Sequence, residues 1–95
     1  MGVTVKRGQK KSHSSEEMDG EQLAVIDDLE VLCEDLAGEL LSINQYHGHI
    51  LILENEGAVT TPEYIVEEEK EHVAELVGLI QSLDPVQADK FKEIL

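Results

Sequence analysis

From Ile26 to Ile50, the residues Ile26, Leu29, Cys33, Leu36, Leu40, Ile43, His47 and Ile50 recur at alternating steps of three and four. That rhythm keeps one side of an α-helix apolar for about seven turns, longer than an ordinary globular helix needs. A second column, Val25, Leu32, Glu39, Tyr46 and Leu53, runs beside it at steps of seven. Together the columns form a face too wide for a two-stranded coil, so the helix, read from Glu21 to about Glu54, belongs in a bundle.

The stretch "NEGAVTTPEY" interrupts the pattern. Gly57 is the expected C-terminal cap, Thr60 or Thr61 the next N-cap, and Pro62 a first-turn residue, with Glu63 closing a capping box on Thr60. A connection this short makes its flanking helices antiparallel neighbours. The second helix is predicted from about Pro62 to Leu83, with a seam of Ile65, Glu69, His72, Leu76, Leu79 and Leu83. "LDPVQ" ends it, Asp84 serving as N-cap and Pro85 opening a short third helix through "VQADKFKEIL". There is no strand pattern and no internal repeat. The fold class is therefore all-α, an antiparallel two-helix hairpin plus a short C-terminal helix. Residues 1–18, which hold four of the seven basic residues, read as a flexible tail ahead of a helical domain at 19–95.

A chain of 95 residues makes a marginal core by itself, and pairing with another copy is one remedy. Its 21 acidic residues against 7 basic give a net charge of -14, which disfavours nucleic acid and anionic membrane as partners. Such a surface suits a protein that gathers cations, although solubility alone explains it more simply. Cys33 is the only cysteine, read as a small buried hydrophobe rather than a reactive thiol, and no apolar run is long enough to span a membrane. A reducing, cytoplasmic setting follows.

Against this background Glu39, Glu69 and His72 stand out, because each occupies a position where the pattern calls for a leucine. A buried carboxylate without a partner costs several kcal/mol, and between residues 12 and 89 the only Lys or Arg is Lys70, on the opposite face of its helix. A bound cation is the remaining compensation. Glu69 and His72, three apart, present oxygen and nitrogen to the same side of their helix. One E-x-x-H is weak evidence in a glutamate-rich helix, and at this point metal binding and a satisfied polar core stay equally open. Di-metal carboxylate bundles use one Glu from each of two helices and Glu-x-x-His from each of two others, and this chain has half of that set. A two-fold homodimer would supply the other half and complete a four-helix core.

The segments "GELLSINQYHGHI" and "EEEKEHVAELVGLIQSLDP" resemble the encapsulated ferritins, half-length ferritin-like proteins carried inside encapsulin nanocompartments. The likeness covers residues 34–86 and is greatest for the archaeal type, in which the domain is fused in front of the shell protein. It implies a ferroxidase that oxidises Fe(II) to Fe(III) at a di-iron centre between two subunits of a ferritin-like four-helix bundle. It also implies an annular higher oligomer and an encapsulin shell protein as partner. Residue by residue, Glu39 matches the first ligand, Glu69 the bridging carboxylate, His72 the imidazole ligand and Tyr46 an aromatic residue beside the site. Family members carry extra carboxylates next to the first ligand for iron uptake, where this chain has Gly38 and Leu41. No shell-targeting peptide follows Leu95, so the resemblance implies either a domain of a shell fusion or a cargo addressed through its N-terminal tail.

The expected chemistry has Glu69 bridging two ions, Glu39 binding terminally or chelating, His72 capping each ion and Tyr46 hydrogen-bonding a ligand carboxylate. Tyr46 reads equally well as an aromatic core residue. His47 is expected to be an ordinary core or interface histidine, and His49 and His13 to be solvated. Gly38 and Gly48 imply close helix approach or a kink. Two other functions are open: a metal-binding module without turnover, occupied by Zn, Mn or Ca, and a helical interaction domain whose polar seam residues fix register.

Overall fold

A computed structural model describes residues 19–95, and all of its regular elements are helical. The basic tail and His13 lie outside the described residues.

Helix α1 spans Gly20–Ile52. It starts at a capping box: the Gln22 amide donates to Asp19 Oδ1 at 2.8 Å, and the Asp19 amide donates to Gln22 Oε1 at 3.0 Å. Leu53 turns extended and ends it. A 3₁₀ turn, Glu56–Val59, follows, with Asn55 Oδ1 accepting from the Ala58 amide at 3.0 Å.

This turn corrects three expectations. Gly57 lies inside the 3₁₀ turn, and Leu53 is the residue that caps α1. Helix α2 spans Thr60–Leu83 and is entered directly from Val59, whose backbone is already helical (φ -78°, ψ -18°). A side-chain N-cap needs an extended residue at that position, so neither Thr60 nor Thr61 caps and no box forms with Glu63. Instead the Thr60 hydroxyl turns back and donates to the Gly57 carbonyl at 2.7 Å. The end of α2 follows the predicted form: Asp84 is extended, its side chain accepts from the Gln87 amide at 3.2 Å, and Pro85 opens helix α3, Pro85–Ile94.

Helices α1 and α2 pack together as an antiparallel hairpin, and α3 rests against α2. The line that α1 withdraws from solvent is Val25, Leu29, Leu32, Leu36, Glu39, Ile43, Tyr46 and Ile50. It combines four of the five members of the second column, Leu53 being exposed beyond the helix end, with half of the first. Ile26, Cys33, Leu40 and His47, the other half, are exposed, so the expectations of a buried Cys33 and a core His47 within the chain are corrected. One neighbour covers one stripe of a helix. A face two stripes wide leaves the other uncovered in a single hairpin.

On α2 the inward line is Pro62, Val66, Glu69, Val73, Leu76 and Ile80, while His72 and Leu79 of the predicted seam lie at its flank. Only Ile43, Val66 and Ile80 are buried among the described residues, and each keeps a few per cent of its surface exposed. Gly38 and Gly48 do not mark close packing in the hairpin, since a Cβ built at either meets nothing within 4 Å.

Candidate metal centre

The antiparallel register puts two polar rungs in succession across the hairpin. Glu39 faces His72, with Oε2 3.4 Å from Nδ1. Three residues further along α1 and three back along α2, the Ser42 hydroxyl donates to Glu69 Oε2 at 2.5 Å. The spacing of three holds both rungs on one flank.

The rungs differ in kind. The Glu39–His72 contact is long for a hydrogen bond and open to water, with the His72 side chain 51% exposed, so by itself it adds little stability. The Ser42–Glu69 bond is partly buried and short, in the range of hydroxyls donating to carboxylates. Its second oxygen, Glu69 Oε1, is buried and has no hydrogen-bond partner. Leaving such an acceptor unsatisfied costs about 1–3 kcal/mol. An open groove beside the rungs is lined by Gly38 and Glu39 from α1 and by His72, Leu76 and Leu79 from α2, together with the carboxylates of Glu34, Asp35 and Glu75. Carboxylates gathered around a groove attract cations into it.

Of the predicted ligands, Glu39 and His72 therefore face each other at the groove, while Glu69 pairs with Ser42 on the adjacent rung and does not line the groove. Tyr46 lies two turns from Glu39 on the inward line of α1, half-buried, its ring edge-on to His49 at 5.7 Å. His49 is exposed, as expected, and Lys70 is exposed away from the site. Ser42 is the residue that sequence reading missed. Its signal is its place three residues after Glu39, opposite Glu69 once the register is known.

A donor set of carboxylate oxygens and imidazole nitrogen suits Fe, Mn and Zn, and the unpartnered Glu69 Oε1 leaves a lone pair where an ion could sit. Within one copy the set is incomplete. Among the described residues, no three His, Cys, Asp or Glu side chains are grouped closely enough to hold an ion. None of the described helices is long and apolar enough to cross a membrane.

No family model matches the chain, and no solved structure matches it. Over 59 residues, 62% of the chain, it is 41% identical to the encapsulin nanocompartment cargo protein EncC of Myxococcus xanthus (strain DK1622). The matched stretch is 45% of that protein, so the chain spans less than half the length of this curated relative.

Proposed function

We propose that this chain is an encapsulin cargo and that two copies pair through the groove flank to form a di-iron site that oxidises Fe(II) to Fe(III). The observation that carries the reading is the buried, partnerless Glu69 Oε1 beside a half-open Glu39–His72 rung. A cation satisfies that oxygen and a two-fold axis doubles the donors, giving two Glu39, two Glu69 and two His72. The same pairing covers apolar groove residues such as Leu79, 47% exposed in the single hairpin, and completes a four-helix core. The similarity to EncC, an encapsulin nanocompartment cargo protein, supports a location inside a nanocompartment with the shell protein as partner. The larger assembly in this reading is an annular homo-oligomer built from such pairs.

In this reading Glu39, Glu69 and His72 would hold the iron, Glu69 as the carboxylate shared between two ions, Glu39 as a terminal or chelating carboxylate and His72 as the nitrogen donor. Tyr46 hydrogen-bonds a ligand carboxylate and limits its swing. Iron is the substrate: two Fe(II) each give up one electron, and the pair reduces one dioxygen, with two protons from water, to hydrogen peroxide. Hard carboxylate ligands favour the ferric product. Zn(II) binds such ligand sets more tightly than Fe(II) and acts as a competitive inhibitor; Mn(II) and Ca(II) are weaker substitutes.

The test is aerobic oxidation of added Fe(II), followed optically, for wild type and Glu69→Ala. Wild type accelerates ferric formation over buffer and the variant does not; equal rates for the two overturn the proposal. A second reading draws on the rungs themselves. Glu39 with His72, and Ser42 with Glu69, already pair within one chain, as a polar layer that fixes helix register would. A helical interaction domain of that kind contains no stoichiometric metal when purified, whereas a non-catalytic metal module contains metal but leaves the oxidation rate at the buffer value.

A further inference from the structure

We infer that Ser42 is a positioning residue for the Glu69 carboxylate, holding Oε2 so that Oε1 is presented to a metal ion. This rests on the metal-site reading above and adds a residue to it. A serine inside a helix usually bonds a carbonyl on its own preceding turn. Ser82 does so in this molecule, donating to the Leu79 carbonyl at 2.7 Å. Ser42 instead reaches across to the other helix, 27 residues away in sequence, at 2.5 Å.

The consequence follows from carboxylate geometry. The last torsion of a glutamate is soft, so an unheld carboxylate samples a broad range of orientations. One hydrogen bond to Oε2 removes that freedom. It occupies one of the roughly four lone-pair positions, leaving one on Oε2 and both on Oε1 for two ions. The bond thus orients the group and preserves its capacity to bridge. Released, the Glu69 carboxylate is free to turn along its own helix toward His72, three residues on, and draw that imidazole away from Glu39. Both cross-helix rungs then loosen together.

Cobalt(II) tests this without turnover, because its visible absorption reports coordination number and its affinity is measured by chelator competition. The full chain is titrated as wild type, Ser42→Ala, Ser42→Thr and Glu69→Ala, with thermal unfolding in EDTA confirming that each variant folds. Alanine is well tolerated in helices, so Ser42→Ala keeps the hairpin. The expected result is a Ser42→Ala affinity about 10–100-fold weaker than wild type, as for other groups that orient a ligand, with a changed cobalt spectrum. Ser42→Thr, which keeps the hydroxyl, restores both. A Ser42→Ala protein that matches wild type in affinity and spectrum overturns the positioning role while leaving the metal site standing. Wild type that binds no cobalt, or Glu69→Ala that binds it as wild type does, overturns the metal site itself and the positioning role with it.

Discussion

Replacing Glu69 with leucine should make the metal-free protein more stable and the metal-loaded protein less so. In the hairpin, Glu69 sits on the inward line of α2 between Val66 and Val73 with Oε1 buried and unpaired. Removing that orphan acceptor recovers about 1–3 kcal/mol, and a leucine there adds part of the roughly 1.5–3 kcal/mol of a fully buried side chain. Ser42 loses its acceptor, but it can turn to its own helix as Ser82 does. A net gain of about 2 kcal/mol corresponds to roughly 10 °C in Tm for a domain of this size. The assay is far-UV circular dichroism melting of wild type and Glu69→Leu in EDTA, at one protein concentration because self-association shifts Tm. It is repeated in Zn(II) at a hundred times its Kd, where wild type gains about 2.7 kcal/mol and the variant gains nothing. The order of stability then reverses. A variant less stable than wild type in EDTA would show that Glu69 is a structural residue, and the reasoning from its orphaned oxygen would fail.

Four smaller tests address the hairpin. Ile43→Val, at one of the three buried positions, should lower stability by about 0.5–1.5 kcal/mol with unchanged helix content, read from the urea midpoint. Asp84→Ala removes the only side-chain cap of α3 and should cost about 1 kcal/mol, with fraying confined to residues 85–95 in amide exchange. Gly48→Ala, where a Cβ meets nothing within 4 Å, should raise stability by roughly 0.5–1 kcal/mol; a loss would reveal another surface seated against that position. The Tyr64 phenol is held above its ordinary pKa, first by its hydrogen bond to Glu68 and then by the charges of Glu68 and Glu71. It should stay neutral to higher pH in an ultraviolet titration, and Glu68→Gln should bring it back toward the usual value.

The helices were legible because their stop signals are local. Asp84 followed by Pro85 works as a helix boundary wherever it occurs, and the antiparallel hairpin follows from a short connection. The 3₁₀ turn was not legible, because Thr60, Thr61 and Pro62 also spell an ordinary N-terminus and only the backbone at Val59 decides between the two. The inward stripe was misjudged for a related reason. Columns 25-32-39-46 and 26-33-40-47 are both largely apolar, and the choice depends on where α2 lies rather than on α1. That same two-column breadth leaves Ile26, Cys33 and Leu40 exposed on a single chain.

At the candidate centre, Glu39, Glu69 and His72 were readable as polar intrusions into apolar lines; the structure pairs Glu39 with His72 and sets Glu69 against Ser42 on the neighbouring rung. Ser42 was not, since an isolated serine in a helix carries no distinctive pattern. Its importance comes only from the register that sets it opposite Glu69.

Native mass spectrometry of the full chain, with and without Fe(II), reports subunit number and bound ions together. Paired copies sharing a di-iron site predict even-numbered oligomers that take up two irons per pair, and Glu69→Ala should abolish the uptake. A monomer that stays metal-free at saturating Fe(II) would contradict the shared site outright.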